Sequence, residues 1–479
     1  MRKRGENALV PFLSMAETDE HCAKWACTPL EACARWPRTR GLAMLCSCPG
    51  DASGSGNRAR WSYLAEPTRV VTVAPDEPDP LAVLESEIQA TRTAPDVRGA
   101  VPFSSGWIVA LSYELGSILE PATGPAQPSP EWPWVIVLWQ CPSVFAYDHP
   151  RRTWCNTGSN AQLEPGELAC AGPIDLGPVA PLCDHATFER SVARAVEYTH
   201  AGDIFQVNLS HQLGGAFAGS ARSLFGGLAR ASTPWYGAYL ECPQGRSLHA
   251  ALSLSPELYL EVDAASRAVT TRPIKGTRRA EVHPDALRES TKDQAELNMI
   301  VDLMRNDLGR ICDPGSVRVA NPRTIERHGG ERSGVHHGVA TVQGTLRHGA
   351  SVADLLRATF PAGSITGAPK VRAMQIIREL EPAPRGLYTG AIGYISDRGN
   401  VSLNVAIRTA VVRGRRAPGH ALDEIVDGHL TYGAGAGIVA DSVPELEWQE
   451  TLDKARVITD LSAMPVATLR SRRVHGVRA

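Results

Sequence analysis

An excess of charge of either sign is missing from this sequence of 479 residues: 49 lysines and arginines face 51 aspartates and glutamates, a formal net charge of -2. Neither a basic footprint for nucleic acid nor an acidic tail is therefore expected. Long apolar runs are missing too. The longest, WVIVLW at Trp134–Trp139, is far too short to cross a bilayer, so no membrane partner is expected. The N-terminus is basic at first, but Glu6 and Pro11 break the short apolar run that follows, a poor fit to a signal peptide. Eleven cysteines are present, yet they show neither zinc-ligand spacing nor a secreted disulfide framework. No short internal repeat is visible. These absences make a cytoplasmic protein with reduced thiols the expectation.

What remains is ordinary globular composition, 43% hydrophobic and 21% charged, in a chain long enough for two or three domains, or one large two-part core, with room to bury a deep site. Residues 1–180 form a first region. From about Leu42 to Tyr147 it alternates strand-like runs such as GWIVALSYEL and WVIVLWQC with turn clusters, helices being a minority. It ends in a proline- and glycine-rich linker, Gly158 to Pro181. Residues 181–465 form the second region. Asp184 caps a helix carrying Phe188, Val192, Ala195 and Val196 at helical spacing, and strands follow at FQVNLSHQL, GAYLEC, LHAALSL, LYLEV and AVTTRPI, the last ending near Lys275. DQAELNMIVDLMRNDLGRI is a second helix, further helices run from about Ser351 to Ala358 and from about Ala368 to Leu380, and a final one begins after DSVPE. Residues 466–479 are a basic tail expected to be disordered. Long strands interleaved with helices exclude an all-α bundle.

Two acidic pairs stand out, Asp293 with Glu296 and Glu447 with Glu450, each at i,i+3 spacing on a helix. That spacing puts both carboxylates on one face. Two such faces are either solvated surface or, where they meet, an oxygen cage suited to Mg²⁺. Asp293 and Glu296 abut the apolar NMIVDL, where unpaired charge is costly. Gly433, Gly435 and Gly437 let backbone N–H groups approach an anion, or serve a tight turn; no Gly-Lys-Ser/Thr follows, so this is no P-loop. Ser442 with Glu445 reads as a capping box opening the last helix. Arg408 interrupts a strand that otherwise reads as buried, as an ion-pair member or an anion ligand. His337 is a core histidine or a site residue, and Glu257 a solvated turn carboxylate or a working acid. Lys275, in TRPIKGTRRA, is a surface charge unless burial or a nearby cation releases its proton and makes it a nucleophile.

Taken in order, AGDIFQVNLSHQ, SLSPELYL, TRPIKGTRR, DQAELNMIVDLMRNDLGRIC, FPAGSITGAPKVRAMQII, LYTGAIGYIS, AIRTA and GAGAGIVADSVPELEWQET resemble the chorismate-utilising enzymes, and within them the aminodeoxychorismate synthase and anthranilate synthase component I branches. The resemblance runs from about Ala201 to Lys454 and is looser in the N-terminal third. It implies an α+β fold, a large αββα sandwich of two stacked antiparallel sheets. It also implies a site: Glu296 and Glu450 as Mg²⁺ carboxylates supported by Asp293 and Glu447; Arg408, Tyr388, Gly435 and Gly437 holding a substrate carboxylate; Gly276, Thr277, Ser364 and His337 lining the ring; Glu257 as general acid. Gly338 departs from the pattern, which usually has leucine beside the histidine.

The resemblance also implies which branch. Anthranilate synthases resembling this chain carry alanine where PIKGT has Lys275, because ammonia attacks C2 directly. In the aminodeoxychorismate branch the lysine adds to C2, expels the C4 hydroxyl, and is displaced when ammonia adds at C4. Isochorismate and salicylate synthases place a water-activating lysine where this sequence has Gln206. The implied activity is Mg²⁺-dependent amination of chorismate to 4-amino-4-deoxychorismate, toward 4-aminobenzoate and folate. No Gly-x-Cys-x-Gly glutaminase turn occurs in the sequence, so ammonia is expected from a separate glutamine amidotransferase subunit or from solution. The alternatives are an anthranilate synthase component I and, in another class, a catalytically idle regulatory subunit that binds chorismate or tryptophan.

Overall fold

The computed structural model describes residues 22–23, 25–48, 58–93, 101–157, 172–329, 334–416, 419 and 421–463. The basic tail 466–479 and most of the linker expected from Gly158 lie outside them.

Alternation builds the two layers. In the strand Gly106–Leu111, Trp107, Val109 and Leu111 join one apolar cluster while Ile108 and Ala110 join another. Side chains two apart share a face, so a strand apolar throughout is buried on both sides. Ser247–Ser255 does the same: Leu248, Ala250, Leu252 and Leu254 face one cluster, Ala251 the other. Strands of this kind assemble into two antiparallel sheets, of thirteen and ten strands among the described residues. The sheets meet through Tyr63, Ala238 and Leu240 of the larger and Ile108, Trp139 and Tyr394 of the smaller. Helices cover the outer faces. Pro29–Arg35, Ala221–Ser232, Lys370–Leu380 and Pro444–Ser462 pack on the larger sheet, and Pro80–Thr91, Thr291–Gly309 and Val352–Thr359 lie over the smaller. This is the α+β sandwich that the sequence implied.

Strands from both sides of Pro181 enter both sheets: Ala43–Cys46 pairs with Tyr236–Gln244 in the larger, and Gly106–Leu111 with Ala391–Ser396 in the smaller. Ile174–Leu176 and Ala180–Pro181, in the stretch read as linker, are short strands against Gln206–Ser220.

Caps fix the helix starts. Asp184 accepts from the Thr187 N–H, Ser290 from Asp293, and Ser351 exchanges bonds with Asp354 in a capping box. Two local readings change. Ser442 caps nothing; its hydroxyl donates to Glu447 Oε1 at 2.7 Å, and the helix Pro444–Ser462 starts without a side-chain cap. AVTTRPI is two strands, Ala268–Arg272 and Ile274–Arg279, because Pro273 has no N–H for the ladder. Lys275 thus lies near the start of a strand rather than the end of one.

Candidate active site

The strand Ile274–Arg279 pairs with Val335–Thr345, and its register slips between Ile274↔Val339 and Thr277↔His337. Lys275 and Gly276 together oppose the single residue Gly338. Such a bulge re-aims a side chain, and Gly276 supports it at φ +80. Gly276 has no room for a side chain either, since a Cβ would stand 2.6 Å from Leu287 Cδ1. The lysine consequently leaves its own sheet and reaches the other: a Cβ built on Gly437 would stand 2.9 Å from Lys275 Nζ and 2.8 Å from Gln206 Nε2. The Lys275 side chain is 12% exposed, with Nζ 3.8 Å from Glu296 Oε2. Burial lowers its pKa, Lys454 lowers it further, and Glu296, Glu450 and Glu257 oppose the shift.

The two acidic helix faces converge on this amine. Burial raises the Glu296 carboxyl, with Lys275 and Lys292 opposing and Asp293 and Glu450 adding to the rise. Burial likewise raises Glu447, whose partner is Ser442. Burial would raise Glu450 as well, but Lys454, Lys275 and Lys292 together outweigh it and hold that carboxyl low; Lys454 Nζ donates to Glu450 Oε1 at 2.7 Å and to the Gly435 carbonyl at 2.8 Å. Asp293 accepts from Arg278 Nη2 at 2.7 Å. Among the described residues, the only group of three or more metal-ligating side chains with mutually close atoms is elsewhere, at His185, Glu189 and Glu445. The four carboxylates of the cleft are neighbours without that compactness.

Glu257 is 4% exposed, and Ser364 Oγ donates to its Oε1 at 2.6 Å. Burial pushes its pKa up to about 7, against the Ser364 bond and the Lys275 charge. It can therefore carry a proton near neutral pH. Thr277 Oγ1 and His337 Nδ1 are hydrogen-bonded at 2.9 Å across the strand pair. Burial, then His328 and the charge of Arg408, keep His337 neutral, its pKa far below the usual histidine value, and its Nε2 has no hydrogen-bond partner among the described residues.

Arg408 sits where two strands part. The pairing of Thr409–Arg415 with Glu424–Ile438 stops at Ala410↔Tyr432, so Gly433–Ile438 keeps only Gln206–Ser220 beside it among the described strands. Arg408 itself adopts φ +50. Its guanidinium makes no hydrogen bond or ion pair among the described residues, and burial lowers its pKa. A half-buried guanidinium with no partner among the described residues favours an anion. Tyr388 lies against Gly433, where a Cβ would meet its ring at 2.2 Å. Lys275 thus lies within electrostatic reach of Glu257, Glu296 and Glu450, and Arg408 within reach of His337.

Residues 52–460 match the family described as chorismate binding enzyme. The chain belongs to that family. It is 37% identical over 443 residues to an anthranilate synthase component 1 of Streptomyces coelicolor, covering 84% of this chain and 81% of the relative. It is 36% identical over 407 residues to an aminodeoxychorismate synthase component 1 of Klebsiella aerogenes, covering 81% and 84%. The crystal structure of anthranilate synthase component I from Streptococcus pneumoniae superposes with a TM-score of 0.68 at 27% identity, over 84% of this chain and 92% of that one.

Several residues around Lys275 and Ser364 escaped the sequence reading. Lys454 is one, although its i,i+4 spacing from Glu450 was a usable signal. Gln206 is another in its chemistry: it is 1% exposed and both polar atoms of its amide are unpartnered. The third is Arg385, 5% exposed, which bonds Glu381, the carbonyls of Ile365 and Asn208, and Thr389 Oγ1. It ties the turn of Ser364 to the loop of Tyr388, and nothing local in the sequence announces it. Among the described residues no helix is long and apolar enough to cross a membrane.

Proposed function

We propose that this chain is the synthase component of an aminodeoxychorismate synthase, in which Lys275 is the nucleophile. The observation that supports this most is the bulge: it delivers a mostly buried amine of lowered pKa between Glu296, Gln206 and Gly437, in a cleft that also holds a carboxyl poised near 7. A lysine buried for structural reasons would be paired at bonding distance; Nζ is 3.8 Å from its nearest carboxylate.

The proposed steps are those that the resemblance to the aminodeoxychorismate branch implies, assigned to the groups present. The neutral Lys275 amine forms a bond to C2 of chorismate, the ring diene shifts, and the C4–O bond breaks as Glu257 delivers its proton to the departing hydroxyl, released as water. The proton lost by Lys275 is taken up by water or by the carboxylate left on Glu257. Ammonia then adds at C4, the diene shifts back, and the C2–N bond breaks to return Lys275. Arg408, the Tyr388 loop and the Gly435–Gly437 backbone hold one substrate carboxylate away from the reacting carbons. Gly276, Thr277, His337 and Ser364 flank the ring.

The other carboxylate falls to the acidic helices, which need a cation to do this. Glu296 and Glu450, supported by Asp293 and Glu447, present only hard oxygen donors, and the rise in the Glu296 and Glu447 carboxyls marks buried negative charge short of neutralisation. That set fits Mg²⁺, which commonly binds through one or two protein carboxylates plus water and substrate oxygens. When bound, the ion supplies positive charge that joins protein and substrate carboxylates.

Ammonia is the remaining substrate. With no glutaminase turn in the sequence, a glutamine amidotransferase subunit is the proposed donor, and the product leads toward 4-aminobenzoate and folate. Anthranilate synthase component I is the second reading, favoured by the 37% identity to the Streptomyces coelicolor relative. Separating the products formed from chorismate, Mg²⁺ and ammonium decides between them: aminodeoxychorismate supports the proposal, anthranilate alone refutes it.

A further inference from the structure

A second cavity, of about 270 Å³, lies between the sheets away from Lys275; Cys46, Ser47, Arg60, Trp235, Tyr236 and Tyr394 are among its walls. Cys46, in one wall, belongs to a cysteine pair that the chemistry above does not use. Cys46 Sγ and Cys48 Sγ are 3.5 Å apart. Cys46 closes the strand Ala43–Cys46, and side chains two apart on extended chain point the same way. The corner is pinned on both sides. The Ser47 N–H donates to Ser62 Oγ at 2.9 Å, Ser47 Oγ to the Trp235 carbonyl at 2.8 Å, and the Cys48 N–H to the Pro234 carbonyl at 2.7 Å. The sulfurs meet because the backbone is held there.

We propose that Cys46 and Cys48 are an oxidation site, a dithiol that a small-molecule disulfide converts to an intramolecular disulfide in the cavity wall. A disulfide is about 2.05 Å long, so the sulfurs must close by roughly 1.5 Å. Cys48 lies past the end of its strand and is only partly packed on the apolar cluster beside it, so closing the bond breaks no ladder hydrogen bond. Cys46 is 2% exposed while Cys48 is half-buried, so the oxidant meets Cys48 first. The bond to Cys48 and burial keep the Cys46 thiol protonated until then. The Cys48 thiolate attacks one sulfur of the small disulfide and releases one small thiol. Cys46, giving its proton to solvent, attacks the Cys48 sulfur and releases the second. The protein loses two protons and two electrons; the small disulfide gains both as two thiols.

The test treats the folded full-length chain with excess oxidised glutathione, quenches with acid and an alkylating agent, and maps the peptides by mass. The expected peptide spanning Cys46 and Cys48 has lost two hydrogens, resists alkylation and reverts with dithiothreitol. In Cys46→Ser the reaction should stop at a glutathione adduct on Cys48, and in Cys48→Ser the remaining Cys46 should take up no glutathione while the protein stays folded. A wild-type protein that stops at the adduct, or that alkylates at both cysteines after treatment, overturns the proposal without reference to either variant.

Discussion

A Cβ on Gly338 would stand 2.6 Å from the carbonyl oxygen of Lys275. The absence of a side chain at one position of Val335–Thr345 therefore lets the opposing strand carry its bulge, and the bulge aims the lysine. Gly338→Ala should push the Lys275 backbone away, since a carbonyl cannot yield as a flexible side chain does. We expect kcat/KM to fall roughly tenfold or more with chorismate affinity much less affected. Isothermal titration and steady-state rates on the same preparation check the split; an unchanged kcat would detach the bulge from the chemistry.

Glu257 gives a pH prediction with a fixed sign. Its folded pKa is raised from 4.5 to about 7, so the folded state holds a proton that the unfolded chain releases between those values. The group costs no stability below pH 4.5 and most above 7, to the extent of roughly 3 kcal/mol by the size of the shift. Glu257→Gln should thus melt higher than wild type above pH 7 and equally at low pH. It should also lose most turnover, and the wild-type rate at a fixed concentration of neutral ammonia should decline as pH rises through 7 and the acid form is depleted. A melting temperature lowered by the substitution at pH 8 would contradict this.

Removing the cation should silence the cleft. EDTA, Glu296→Gln or Glu450→Gln is expected to abolish turnover, with added Mg²⁺ restoring only the chelated wild type. Full activity in chelator would sink the metal assignment.

Nitrogen supply is a separate question. Glutamine should support turnover only when an amidotransferase subunit is added, whereas high ammonium at alkaline pH should suffice without it. Glutamine-dependent product from the purified chain alone would refute the need for a partner.

How much of this was written in the sequence depends on distance along the chain. Local signals were legible where they were read: Asp184 caps a helix by a bond from Thr187, three residues on, and Ser290 and Ser351 cap theirs by the same spacing though the sequence reading named neither as a cap. Asp293 with Glu296, and Glu447 with Glu450, share helix faces for the same local reason. Non-local facts were not legible. The bulge at Lys275 depends on what opposes it sixty-odd residues later, so Gly338 read as a departure rather than as its cause. Arg385 gathers Asn208, Ile365, Glu381 and Thr389, a set no window of sequence contains. Ser442 had the right spacing for a cap, but Glu447 took its hydroxyl.

Covalent catalysis by Lys275 is the centre of the account. Lys275→Ala should bind chorismate, because the carboxylate-holding ends of the cleft remain, yet lose most aminodeoxychorismate formation. Any residual product should shift toward amination at C2. Lys275→Arg should fail too, since a guanidinium stays protonated. The most direct measurement is the intact mass of the protein incubated with chorismate and Mg²⁺ without any nitrogen donor. The account predicts a chorismate-derived adduct on the wild type that maps to Lys275 and is absent from Lys275→Ala; an alanine variant with normal rate and product, and no adduct on either protein, would contradict it.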